Sequence, residues 1–150
     1  MKVLLSIKPE FASKIFDGFK KYEYRRIIFK RREVETIVVY ASDPIKRVIG
    51  EFDIGEILHK KPEQLWAQTC KHAGITEARF MKYFENQAKG YAIGVRKTRK
   101  YQTPLSLNDL MLSFPPQSFM YLHTDPMDYI FQPTQSSLSN TRPFPALALG

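Results

Sequence analysis

Cysteine is nearly missing from this chain of 150 residues, where Cys70 stands alone. One thiol closes no internal disulfide and builds no two- or four-cysteine zinc site, and it suits a reducing, cytoplasmic setting. Histidine is scarce as well. His59, His72 and His123 share no ligand spacing with one another or with a carboxylate pair, so neither a metal nor a cofactor is expected. No apolar run approaches the ~18–20 residues of a membrane span. The apolar stretch within Met1 to Pro9 is too short for a secretory signal and meets a charge at Lys8. Acidic residues are few, 15 against 23 lysines and arginines, which leaves a net charge of +8.

What remains is globular in composition, 43% apolar and 25% charged. A chain of this length buries roughly two thirds of its unfolded surface, enough for one independent core. The basic excess is uneven. Residues 101–150 carry Arg142 against Asp109, Asp125 and Asp128, so the surplus lies in the first hundred residues. One cluster runs through Lys20, Lys21, Arg25, Arg26, Lys30, Arg31 and Arg32, and a second through Arg96, Lys97, Arg99 and Lys100. Charge runs are usually solvated faces. Two clusters in one small domain, with tyrosines among them, nonetheless point to a phosphate-rich partner.

Along the chain, Lys2 to Ile7 reads as a buried strand. Pro9 opens a short helix with Phe11, Ile15 and Phe16 on its apolar stripe, and Gly18 closes it. From Lys21 the period becomes two, which places Glu23 and Arg25 on one face and Tyr22, Tyr24 and Arg26 on the other. Thr36 to Tyr40 is β-branched and apolar, hence a central strand, broken at Ser42-Asp43-Pro44. Gly50 and Gly55 suggest a bent or bulged strand over Val48 to Leu58. Two helices follow, one opened by Pro62 with Leu65, Trp66 and Thr69 inside, the other capped by Thr76 with Phe80, Tyr83 and Phe84 on its apolar face. Strand character returns at Tyr91 to Val95 and at Ser118 to Leu122, with a short helical turn capped by Ser106 between them. The expected fold is α+β: a small, partly closed β-barrel with flanking helices and a helical insertion, spanning residues 1–122. Residues 123–150, rich in proline and serine, read as an extended tail, disordered or laid across the domain.

One segment carries most of the chemistry. In Gly18-Phe19-Lys20-Lys21-Tyr22-Glu23-Tyr24-Arg25, Gly18 permits a tight exit from the helix, so Lys20 lies beside the start of a strand. Glu23 and Arg25, two apart, share its face. By spacing alone this is a surface ion pair, worth little.

The segment resembles the G-x-K-x-x-E-x-R signature of the ASCH domain family, whose fold is like that of the PUA RNA-binding domain. Leu5 to Pro9 with its helix, Val39 to Ser42 with the bent Gly50-Glu51-Phe52 strand, and Pro115 to Phe119 are similar to the family's opening, middle and close. The resemblance implies a cleft lined by Lys20, Glu23 and Arg25, with Lys8 and Ser42 at its rim, that receives a nucleotide or single-stranded RNA. Lys30, Arg31, Arg32 and Arg96 to Lys100, with Arg26, would meet phosphates, and Tyr22 or Tyr24 either stacks on a base or packs in the core or on the sheet face. No helix-turn-helix or zinc finger is present to read a duplex. Some relatives are amidohydrolases acting on a modified cytidine, with a threonine nucleophile where this chain has Glu23; others cleave RNA. The leading expectation is an RNA- or nucleotide-binding module. The alternative is a hydrolase with Glu23 as general base and Lys20 and Arg25 as anion stabilisers. A protein-interaction domain ranks third, because it leaves the basic clusters idle.

Overall fold

The computed structural model describes residues 1–130. Six strands form one mixed sheet, β1 (Lys2–Ile7), β2 (Tyr22–Arg25), β3 (Thr36–Ala41), β4 (Arg47–Lys60), β5 (Gly90–Leu105) and β6 (Phe119–Leu122), in the order β2-β5-β4-β3-β1-β6. Only β1 and β3 run parallel. Helices α1 (Pro9–Phe16), α2 (Pro62–Thr69), α3 (Glu77–Tyr83) and α4 (Met127–Ile130) complete the described elements with two short 3₁₀ turns.

β3 is buried along its whole length because both of its faces meet apolar layers. Ile37 and Val39 face one core with Val3, Leu5, Ile15, Phe52 and Ile93, while Val38 and Tyr40 face another with Leu4, Val48 and Tyr101. Each such aliphatic side chain contributes about 1.5–3 kcal/mol on burial. A third cluster seats α2 and α3 on the sheet through Leu58, Leu65, Phe80, Phe84 and Tyr24. Thr76 caps α3 as its sequence suggests, accepting a hydrogen bond from the Arg79 amide at 3.2 Å. The register of β4 against β5 slips after Val48, after Asp53 and after Ile54, so the bulging anticipated near Gly50 and Gly55 is present.

The barrel expectation is corrected. The sheet is open: β2 and β6 are its two edges, and no backbone ladder joins them. The edges nonetheless curl towards each other and are spanned by side chains. Arg25 on β2 donates to the carbonyl of Ser6 at 2.6 Å and to that of Ser118, just before β6, at 3.4 Å. Phe29 packs edge-on against Phe119 at 6.0 Å, and the Tyr121 hydroxyl accepts from the amides of Lys30 and Arg31. A guanidinium thus occupies the gap that strand pairing would have closed.

β5 is three times longer than its apolar core suggests, and it carries the whole second basic cluster. Alternation explains why sequence pattern missed this: past Val95 its outward positions are cationic and no apolar period survives. At the far end, Asp125 bonds Lys2 at 2.9 Å, and Met127 and Tyr129 pack on the second core, so residues 125–129 lie against the domain. The remainder of the expected tail, residues 131–150, falls outside the described residues.

Candidate functional site

A cavity of about 550 Å³ opens between the start of α1, the β2 segment and α3. Lys20, Glu23 and Arg25 line it together with Lys8, and all four were singled out by the sequence.

The path of the chain sets this convergence. At the end of α1 the Lys14 carbonyl accepts the amides of Phe19 and Lys20, at 3.0 and 2.9 Å, with Gly18 at φ +83° making the reversal possible. The Lys21 amide then donates to the His72 carbonyl at 2.9 Å, tying the loop to the turn after α2. Lys20 is thereby forced inward. Its side chain is 2% exposed, and its Nζ donates to the Ala73 carbonyl at 2.6 Å. It stands over the rings of Tyr24 and Phe11, at 4.8 and 5.2 Å from their centroids. Gly74 makes room for it. A Cβ there would lie 2.7 Å from both Cβ and Cγ of Lys20, and φ is +66°.

Glu23 is buried, with one carboxylate oxygen 3.1 Å from Arg25 Nη2 and the other 3.9 Å from Lys20 Nζ. The second separation is an electrostatic contact and too long for a hydrogen bond. Burial pushes the Lys20 ammonium down to a pKa of about 8, against the pull of the Glu23 carboxylate. The group is therefore still charged at neutrality and loses its proton at mildly alkaline pH.

Arg25 is committed. Its guanidinium serves Glu23, Ser6 and Ser118 at once, so it orients the carboxylate and braces the sheet edges. Arg26 lines the cavity, its Nε donating to the Tyr83 carbonyl at 2.8 Å while the guanidinium lies 4.2 Å over the Tyr83 ring.

Other expected contributors are placed differently. Ser42 hydrogen-bonds the Ile7 carbonyl through its amide, beside Lys8 in space, but is not among the residues lining the cavity. Of the two readings open for Tyr24, stacking or packing, the structure shows a packed ring, buried at the edge of the same cavity. Its ring packs edge-on to Phe80 at 4.8 Å and its hydroxyl bonds Thr69 at 2.6 Å. Tyr22 borders a separate, shallower hollow of about 250 Å³ with Lys21, His72 and Arg96. Lys30, Arg31 and Arg32 are exposed on the loop after β2, where Arg31 lies 5.1 Å over the Tyr121 ring. Of the second cluster, Arg96, Lys97 and Lys100 are exposed on β5. Arg99 is not available: it grips Glu51 and Asp53, with contacts of 2.7 Å to each.

The cavity also uses residues that sequence reading assigned to a core or left unremarked: Phe11, Ile75, Arg79, Lys82 and Tyr83. A signal existed. Arg79, Lys82 and Tyr83 stand at i, i+3 and i+4, one face of a helix. Arg79 is paired side-on with Glu10 at 3.1 and 3.2 Å, which fastens α3 to α1 across the mouth.

The signature side chains thus meet in one cavity, and residues 5–104 match the ASCH domain profile. The chain belongs to the ASCH domain family. An ASCH domain-containing ribonuclease of Zymomonas mobilis is 31% identical over 128 residues, covering 83% of this chain and 86% of that protein. The crystal structure of ASCH from Zymomonas mobilis superposes with a TM-score of 0.78 at 30% identity, over 85% of this chain and 92% of that one. The large ribosomal subunit protein uL22 of Ureaplasma parvum is 27% identical over 124 residues. That stretch is 80% of this chain but 39% of the ribosomal protein, so this ASCH chain spans about two fifths of that relative's length. Among the described residues, no helix is long and apolar enough to cross a membrane.

Proposed function

We propose that this ASCH domain binds RNA or a nucleotide in the α1–β2–α3 cavity, with one nucleotide unit of a single strand entering it. The observation that carries the reading is the composition of the cavity: an inward ammonium, a carboxylate and a guanidinium at the floor, apolar walls at Phe11 and Ile75, and cations at the mouth. A mononucleotide has the same layout of apolar faces, polar edge and charged end. The volume of about 550 Å³ accommodates one such unit and excludes a duplex. The exposed Lys30 to Arg32 loop and Arg96, Lys97 and Lys100 would add sequence-independent affinity for a longer strand. The similar ribonuclease of Zymomonas mobilis supports an RNA-directed role.

A second reading is favoured by the buried Glu23 set between two cations. In it the carboxylate takes a proton from water or from a 2′-hydroxyl, and Lys20 stabilises the oxyanion that develops.

One experiment separates them. Short single-stranded and duplex RNA and DNA are titrated at two salt concentrations, and the same mixtures are assayed for cleavage. The binding reading expects salt-sensitive binding of intact single-stranded RNA, lost with Lys20→Met. The hydrolytic reading expects cleavage that Glu23→Gln abolishes while binding persists. Absence of salt-sensitive binding to every nucleic acid would refute strand binding and RNA cleavage alike.

A further inference from the structure

The cations at the cavity differ in what they still have to offer. Lys20 is buried against the Ala73 carbonyl, Arg25 is shared among Glu23, Ser6 and Ser118, and Arg79 is closed onto Glu10. Arg26 is different. Its Nε is held by the Tyr83 carbonyl at 2.8 Å and its Cζ lies 4.2 Å from the centroid of the Tyr83 ring. Among the described residues, neither of its terminal amino groups has a hydrogen-bond or ion-pair partner. The guanidinium is therefore fixed in position with its two outer nitrogens unused, the arrangement that suits a bidentate grip on phosphate oxygens. The hydrogen bond to the Tyr83 carbonyl and the contact with its ring remove much of the rotamer freedom that an exposed arginine would otherwise lose on binding. Lys82, the residue before Tyr83, lines the same mouth and adds a second positive charge. The Glu85 carboxylate also lines it and repels an anion from its own side.

We infer that Arg26, propped on Tyr83 and assisted by Lys82, is the phosphate-reading subsite of the cavity, so the ligand is a phosphorylated nucleoside unit and not a free nucleoside. This rests on the proposed function and deepens it. The phosphate sits at the mouth while the sugar and base extend inward along Phe11 and Ile75. That phosphate belongs either to a free nucleotide or to the backbone of a strand, and the chemistry read by Arg26 is the same in both.

The test is calorimetric titration of the full chain with the four nucleosides, with their 3′- and 5′-monophosphates, and with a five-residue single-stranded RNA. Wild type, Arg26→Gln, Lys82→Gln and Lys20→Met are compared. At least one monophosphate is expected to bind wild type about 10-fold or more tightly than its nucleoside, the worth of one charge-assisted pair. Arg26→Gln should erase that advantage and leave nucleoside affinity within about twofold; Lys82→Gln should erase part of it. Arg26 is exposed, so the fold should survive, and an unchanged circular dichroism spectrum checks this. Equal affinity of nucleoside and monophosphate, or an equal loss of both in Arg26→Gln, would overturn the subsite while leaving the cavity reading intact. If no probe binds wild type, or if Lys20→Met alters nothing, the cavity reading falls and the subsite with it. On the RNA arm, a salt slope reduced by about one in Arg26→Gln identifies a strand phosphate as the source. An unchanged slope with a lost monophosphate advantage identifies a free nucleotide.

Discussion

Lys20 offers the sharpest test of how this site is held together. Its ammonium is 2% exposed, and burial lowers its pKa from 10.5 to about 8 in spite of the Glu23 carboxylate 3.9 Å away. In the unfolded chain the same group keeps its ordinary value, so between about pH 8 and 10.5 the unfolded state binds more protons than the folded one. Stability attributable to Lys20 therefore rises with pH across that window and is flat below it. Integrated from about pH 7 to about pH 9.5, the gain is about 2 kcal/mol. Other groups titrate in the same range, so the comparison must be made with Lys20→Met, which keeps the stem and removes the charge. Urea unfolding of both proteins at the two pH values measures the difference directly. Wild type should gain on the variant by about 2 kcal/mol on going alkaline. At neutral pH the two should lie close, because the methionine relieves a buried charge but leaves the Ala73 carbonyl without its partner. Parallel stability at both pH values would refute the inward, desolvated lysine and with it the layout of the cavity floor.

Two further perturbations probe the frame around that lysine. Gly74→Ala places a methyl group on the Lys20 stem in a left-handed backbone, and a loss of about 2 kcal/mol in denaturant unfolding is expected, together with disappearance of the alkaline gain as Lys20 is expelled to water. Glu51 is 1% exposed and accepts from Lys2, Arg99 and the Tyr101 hydroxyl, so Glu51→Gln should cost about 3 kcal/mol by the same assay. The low end of the range applies because Arg99 retains Asp53 and Lys2 retains Asp125.

Much of this architecture is legible in the linear chain because its causes are local. Pro9, Gly18, Pro62 and Thr76 punctuate helices by their own backbone chemistry, and the β-branched run at Thr36 to Tyr40 can be buried on both faces only as an inner strand. The spacing of Glu23 and Arg25 likewise predicts that they share a face, since side-chain direction follows from strand geometry within a few residues, whereas Lys20 comes from the loop before β2. What each of them touches is another matter. Arg25 finds Ser6 and Ser118, Lys20 finds Ala73, and Arg26 finds Tyr83, partners 19 to 93 residues away.

Those encounters exist only because the sheet curls and α3 is laid across the mouth of α1. The tertiary structure alone decided that Tyr24 is a buried floor, that Arg99 is captured by Glu51 and Asp53, and that Lys30 to Arg32 and the second basic cluster lie away from the cavity that Lys20, Arg25 and Arg26 line. It also left the sheet open where a barrel was expected, since a guanidinium can join two strand edges that never pair. Composition and period determine which way a residue faces. Which group it meets depends on packing between segments that the sequence does not order in space.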